Sequence, residues 1–175
     1  GDVVKLLMER GASIDIRNNN GRTAFMSASN CECNDILKLF LDRGANALAQ
    51  DNDGLTAFAY ALRWKKSSTA QYLVQCRQIP YSGVAVSSLV PRNRQMTASD
   101  YTGFVKDLIP AYANRAVADP EFAISMQRDI EEILGGKMEG NKKPLTKKDT
   151  ALLTKLLKIL RSIDYTDCAV HEGAS

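Results

Sequence analysis

The first half of this chain repeats itself at a constant spacing of 33 residues. When residues 3–31 are aligned with residues 36–64, 11 positions are identical. The segment Gly21–Phe25, for example, returns as Gly54–Phe58. A fixed period of this length indicates stacked supersecondary units, because no single unit can bury its apolar face alone. We therefore expect an elongated array of small units that presents a surface.

Each copy contains an apolar helix pattern, a turn and a second helix start. Val3–Met8 and Ile36–Leu41 are apolar runs that end shortly before a glycine, which adopts the left-handed C′ conformation at little cost. A stretch rich in Asn, Asp and Gly follows each glycine and predicts a tight turn. Thr23 and Thr56 then stand where an N-cap hydroxyl would open a short helix with small side chains.

These patterns resemble the ankyrin repeat. Thr23–Ala28 and Thr56–Ala61 correspond to the T-P-L-H-x-A signature of that family, and Val3–Ala12 and Ile36–Ala45 correspond to V-V-K-L-L-x-x-x-G-A. The resemblance covers residues 1–77. It implies an all-α ankyrin-repeat solenoid of about two and a half units.

The copies depart from the family pattern at several positions. Alanine replaces the signature proline, Met26 or Ala59 replaces the histidine, and Glu32 and Lys65 replace the glycine in the middle of the repeat. Residue 1 falls inside the second helix of a unit. We therefore expect an N-terminally truncated array with an open apolar flank, which additional N-terminal ankyrin repeats of the same polypeptide or another molecule would cover.

The second half of the chain predicts a connector at 78–96, three helices within 97–165 and a flexible tail at 166–175. Ser99 or Asp100 is the expected cap of the first of these helices, and Pro110 is expected to bend or end it. Asp119-Pro120 and Thr146 mark the starts of the next two. The three helices form either a bundle of their own or a cap on the array. We recognise no known module in them.

Catalytic and cofactor motifs are not found in the sequence. The one histidine, His171, lies near the C-terminus, which excludes most histidine-dependent mechanisms. The pair Cys31-x-Cys33 would suit metal or redox chemistry, but a zinc site needs about four ligands, so we favour ordinary reduced thiols. Asp51 and Asp53 could flank a cation, although turn chemistry explains them better. The sequence therefore predicts no catalytic residue, no metal and no cofactor.

A basic segment lies between Gly135 and Arg161, which contains eight lysine and arginine residues and only two acidic residues. A basic amphipathic helix of this kind can bind acidic lipids, nucleic acid or calmodulin-like partners. The net charge of the chain is only +3, and aromatic residues that would stack on bases are missing from this segment. We favour a helix whose polar face lies in water, without nucleic-acid binding. We also expect no membrane span, because no run of 18 apolar residues occurs.

The resemblance implies a protein partner bound by the turn tips and by the exposed side of each first helix. Trp64 and Arg63 stand out, because both residue types are enriched in interface hot spots. Packing against the following helix is an equally good interpretation of Trp64. The predicted partner-binding residues are Asn19, Asn20, Arg22, Asn30, Asn52, Asp53, Leu55, Arg63 and Trp64.

Two classes of function follow. The first is an intracellular scaffold or adaptor, cytoplasmic or alternatively nuclear, that binds a protein and catalyses nothing itself. The second is a regulatory or targeting fragment of a larger enzyme or channel. A third hypothesis is association of the basic segment with membrane or nucleic acid, which predicts binding that falls steeply with added salt.

Overall fold

Most of the described backbone is helical. The computed structural model describes residues 1–86, 98–136 and 146–162, with side chains for all of these except 98–105 and Asp149. These ranges contain eight α-helices and one short 3₁₀ helix, and no strand occurs in them. The prediction of an all-α fold is therefore confirmed.

The first compact unit of the molecule spans Gly1–Val84. Its helices are α1 (Asp2–Glu9), α2 (Ala24–Asn30), α3 (Asn34–Asp42), α4 (Ala57–Arg63) and α5 (Ser67–Gln75), followed by a 3₁₀ helix at Tyr81–Gly83. Helices α2 and α3 pack as a pair, α4 and α5 pack as the next pair, and α2 packs against α4. By the 33-residue offset, α1 is equivalent to α3 and α5. Two complete pairs and one second helix confirm the predicted two and a half units.

The predicted threonine caps are present in both pairs. The hydroxyl of Thr23 accepts a hydrogen bond from the backbone N–H of Met26 at 3.3 Å, and that of Thr56 accepts one from Ala59 at 3.2 Å. Both threonines have extended backbones, as N-cap residues do. These caps fix where α2 and α4 begin, and therefore where each preceding turn must end.

The loops inside each helix pair keep the backbone of the missing glycine. Glu32 and Lys65 both have a φ of 55°, and they are the non-glycine residues with positive φ in the described chain. An L-residue pays about 1–2 kcal/mol to adopt the left-handed conformation. The chain bears this cost twice because the packing of each pair requires the turn.

The apolar face of α1 is exposed, as the sequence predicted. Leu7 is 54% exposed, whereas Phe40 and Leu73, its equivalents in α3 and α5, are 4% and 1% exposed. Helix α1 contributes no buried residue. That a further repeat covers this face stays a prediction.

The second compact unit spans Ala85–Ser175. Its described helices are α6 (Ala98–Ala118), α7 (Pro120–Leu134) and α8 (Lys147–Arg161), and each packs against the other two. The carboxylate of Asp119 caps α7 by accepting the N–H of Phe122 at 3.0 Å, as predicted. Buried side chains from all three helices, including Tyr112, Met126 and Leu156, form the core of this unit.

Two details of α6 bear on the sequence-based expectation. The helix spans Ala98–Ala118, so that Ser99 and Asp100 lie inside it and not at the position of an N-cap, which corrects the prediction. Pro110 lies within the helix and does not end it, and the alternative that it bends the helix stays a prediction. A proline removes one hydrogen bond from the helix ladder, which costs about 3 kcal/mol in an isolated helix. Here Leu108 and Ile109 before the proline and Ala111 and Tyr112 after it are all buried, and this packing offsets the cost.

Some predictions fall on residues outside the described ranges. These include most of the connector, Lys137, Lys142 and Lys143 of the basic segment, and the tail with Cys168 and His171. The domain boundaries stay predictions. Among the helices that the structure describes, none is both long and apolar enough to cross a bilayer.

Candidate protein-binding surface

Two tight turns of almost identical construction protrude ahead of α2 and α4. We call residues 18–22 the first tip and residues 51–55 the second tip. In the first, Gly21 N–H donates to the carbonyl of Asn18 at 2.8 Å, and in the second Gly54 N–H donates to the carbonyl of Asp51 at 3.0 Å. Both glycines have positive φ, 74° and 76°. Glycine is needed here because the turn requires the left-handed region.

A side chain holds each tip from within. The Oδ1 of Asn18 accepts the N–H groups of Asn20 and Arg22, each at 3.0 Å. The Oδ1 of Asp51 accepts those of Asp53 and Leu55 at 2.9 and 2.8 Å. Such Asx turns satisfy the backbone of the turn locally, so that each tip is held in part by its own residues.

The two tips are also bonded to each other. The backbone N–H of Asn52 donates to the carbonyl of Asn20 at 3.0 Å, and the Nδ2 of Asn52 donates to the carbonyl of Asn19 at 3.1 Å. A Cβ atom on Gly21 would lie 2.4 Å from the Oδ1 of Asn52. Three of the predicted partner-binding residues therefore lie together, but the side chain of Asn52 serves to join the tips.

A buried polar network fixes the second tip to α4 and to the first tip. The hydroxyl of Tyr60 donates to the Oδ2 of Asp51 at 2.5 Å and accepts from the Nη2 of Arg22 at 2.7 Å. The guanidinium of Arg22 also stacks on the Tyr60 ring, with its Cζ 4.3 Å from the ring centroid. Asp51 and Tyr60 are both buried. Arg22, which the sequence placed on the binding surface, thus contacts a side chain of the next unit.

The charges in this network are stabilised by their partners. Burial alone would raise the pKa of Asp51, but the hydrogen bonds from Tyr60, Leu55 and Asp53, with the nearby charge of Arg22, outweigh burial and lower the pKa. Burial and the hydrogen bond to Asp51 raise the pKa of Tyr60. At neutral pH, Asp51 is therefore ionised and Tyr60 is a neutral donor.

A second group of predicted residues lies where the first helices end. Helix α4 ends at Arg63, and the next residue, Trp64, is its C-cap and is 52% exposed. Asn30 ends α2, which packs against α4, and both Asn30 and Arg63 are half-buried. The side chain of Trp64 thus offers a partner about half of its surface.

The two groups of residues occupy opposite ends of the first helices. Helix α4 has seven residues, which at about 1.5 Å per residue gives about 10 Å between its ends. Tip residues Asp53 and Leu55 lie before the start of this helix, whereas Arg63 and Trp64 lie at its end. A partner that contacts both groups must therefore span the length of a short helix.

Sequence analysis missed part of this surface. Ala24 and Ser27 of α2 are exposed, and neither was among the predicted partner-binding residues. Their equivalents in the next unit, Ala57 and Tyr60, are buried. The 33-residue alignment gives both pairs the same register, so periodicity alone could not separate them.

The cysteine pair and the aspartate pair that the sequence offers for metal or redox chemistry both lie among the described residues. The part of the chain with described side chains contains no group of three or more His, Cys, Asp or Glu arranged to hold a metal ion. The carboxylate of Asp51 already accepts bonds from two N–H groups and one hydroxyl, so a cation between Asp51 and Asp53 would have to displace them. Cys31 and Cys33 are free thiols, the first exposed and the second half-buried.

Helix pairs that stack in register, joined by protruding tight turns, define a helical repeat array, a class of protein that presents an extended surface. Residues 1–82 match the family model described as ankyrin repeats (3 copies). This part of the chain belongs to the ankyrin-repeat family. No curated protein is similar enough to the chain to count as a match. Ankyrin repeats are in general protein–protein interaction modules.

Proposed function

We propose that the ankyrin repeats bind a protein partner through the two tips and through residues 64–66 between α4 and α5, which we call the Trp64 loop. The chain then acts as a scaffold or adaptor without catalysis of its own. One observation carries this proposal. The side chains of Asn20, Asp53 and Arg63 form no hydrogen bond or ion pair within the described residues, although the tip backbone that bears the first two is held firmly. Polar groups on a preorganised frame can bind a partner without paying to order a loop.

The two ends of this surface suggest different contributions. Trp64 offers a large aromatic surface with an arginine beside it, which is the composition of an interface hot spot. Asn19, Asn20 and Asp53 offer amide and carboxylate groups, which suit the polar rim of an interface. We expect the Trp64 end to supply most of the affinity and the tips to supply selectivity for the partner.

Quantitative capture with matched variants tests the proposal. The chain is immobilised, bound proteins are measured by mass spectrometry, and the double variant Trp64→Ala/Arg63→Ala is compared with Lys38→Ala/Asp35→Ala, which removes exposed side chains from α3. A partner of this surface is lost with the first variant and retained with the second. Proteins that both variants capture equally well would contradict the proposal.

The proposal includes an intracellular setting, with the cytoplasm favoured over the nucleus. Cys31 and Cys33 are free thiols, which suits a reducing compartment. Localisation of the tagged full-length protein by microscopy and fractionation tests this. A secreted product would contradict it.

A further inference from the structure

Helix α8 carries a row of lysine and aliphatic side chains along the border of its solvent-facing side. Lys148, Leu152, Lys155 and Ile159 follow one another at spacings of four, three and four residues, which places them on one line along the helix. The two lysines are exposed, and Leu152 and Ile159 are half-buried. We call these four residues the mixed row. Basic and aliphatic side chains alternate along its length.

More positive charge lies directly beside the mixed row. Lys147 and Lys158 are exposed and are separated by 11 residues, or three helical turns. The side chains of these two lysines, like those of Lys148 and Lys155, form no hydrogen bond or ion pair in the part of the chain that the structure describes. Arg161 differs, because its guanidinium is bonded to Glu131 at 2.7 Å.

The opposite face of α8 is fully engaged. Leu153, Leu156 and Leu160 are buried among α6 and α7. The free lysines therefore face solvent as a block of one sign along a helix of 15 residues, or about 22 Å.

We propose that this face of α8 binds the surface of an anionic lipid bilayer. Four unpaired lysines attract acidic headgroups, and each lysine near such a surface contributes about 1 kcal/mol, or about fivefold in affinity. Leu152 and Ile159 lie between and beside the lysines, where they can contact the boundary between headgroups and acyl chains. The attachment is peripheral, since the other face of the helix remains in the bundle core.

Nucleic acid fits the same face less well. Binding to a phosphate backbone uses the lysines but gains nothing from partly exposed aliphatic side chains. Binding to single strands uses aromatic side chains that stack on bases, and α8 has none. The alternation of lysine with leucine or isoleucine is the observation that favours lipid.

Vesicle sedimentation with the full chain tests the proposal. Wild type is expected to sediment with vesicles of phosphatidylcholine and phosphatidylserine, less at raised salt, and not with phosphatidylcholine alone. The double variant Lys148→Gln/Lys155→Gln is expected to lose about 25-fold in partition, from about fivefold per lysine. The matched control Lys5→Gln/Lys38→Gln, with the same charge change on exposed residues of the first unit, should partition as wild type does.

Circular dichroism confirms that each variant folds, and Lys147→Gln/Lys158→Gln replaces the first variant if that one does not. Equal partition of the α8 variant and the control variant would overturn the proposal, as would equal binding to neutral vesicles. Binding to a short DNA duplex without binding to vesicles would also overturn it and would favour nucleic acid. Loss of partner capture by Trp64→Ala/Arg63→Ala is independent of all these outcomes.

Discussion

Replacing Tyr60 with phenylalanine removes one hydroxyl from the buried network and leaves the ring. The hydroxyl donates to the Oδ2 of Asp51 at 2.5 Å and accepts from Arg22 at 2.7 Å. The guanidinium can still stack on the ring in the variant, because that contact involves the ring alone. The substitution therefore tests the hydrogen bonds separately from packing.

The expected cost is about 2 kcal/mol in the free energy of unfolding. A hydrogen bond to a charged group contributes about 1.5–3 kcal/mol, and a buried acceptor that loses its donor retains its desolvation penalty. Asp51 keeps its two backbone N–H donors, which limits the loss. The Nε of Arg22 is already buried without a hydrogen-bond partner among the described residues, and the variant also removes the acceptor of its Nη2.

Urea unfolding followed by tryptophan fluorescence measures this cost in the right part of the molecule. Trp64 is the one tryptophan of the chain and lies in the first unit. The matched control is Tyr72→Phe. The hydroxyl of half-buried Tyr72 is hydrogen-bonded to the thiol of Cys76, and a thiol is a weak hydrogen-bonding partner. We expect about 0.5 kcal/mol or less for the control. A Tyr60→Phe effect no larger than the control's would refute the importance of the network.

The remaining predictions concern acid and the backbone. The lowered pKa of Asp51 means that its contribution to stability is full above the unfolded value of 3.8 and is lost as the pH falls through the folded value. The Tyr60→Phe penalty should therefore shrink in urea titrations below about pH 4. Glu32→Gly should stabilise the array by about 0.5–1 kcal/mol, because the relief of left-handed strain exceeds the conformational entropy that glycine loses on folding. A destabilised variant would contradict this prediction. Gly44→Ala has open space around the added methyl and should cost about 1–2 kcal/mol of strain. Gly21→Ala should cost clearly more, because its methyl also collides with the second tip. Equal costs of the two variants in thermal unfolding would show that the tips are not in contact.

Local chemistry made the array predictable from the sequence. Thr23 and Thr56 cap helices in the structure because their hydroxyls satisfy N–H groups only three residues away. Gly21 and Gly54 form turns whose hydrogen bonds lie within five residues. The 33-residue period then placed equivalent elements beside one another. Features that depend on neighbours in sequence were therefore visible in the sequence.

Contacts between units were not predictable in this way. The network of Arg22, Asp51 and Tyr60 joins residues up to 38 positions apart, and the first copy has Ser27 where the second has Tyr60. The ankyrin resemblance assigned Arg22 to partner binding because the residue lies in a turn tip, whereas the stack of units brings its guanidinium onto a tyrosine ring. Pro110 is a similar case, because buried residues on both sides keep the helix continuous through a residue that usually ends one.

The mixed row on α8 was visible only in part. The sequence showed an excess of lysine and an apolar stripe, which favoured a solvated helix with its leucines in a core. That core exists, with Leu153 and Leu156 in it. The partial exposure of Leu152 and Ile159 beside exposed lysines became visible only once the bundle was assembled.

Site-specific photo-crosslinking in cells tests the central claim most directly. A photoreactive residue is placed at Asp53 on the second tip, at Trp64 in the loop after α4, or at Lys38 on α3, all of which are exposed. A partner-binding surface predicts that one and the same protein crosslinks from positions 53 and 64 and not from position 38. Crosslinks that arise equally from position 38, or from none of the three, would contradict the claim that these ankyrin repeats bind a protein through their tips and the Trp64 loop.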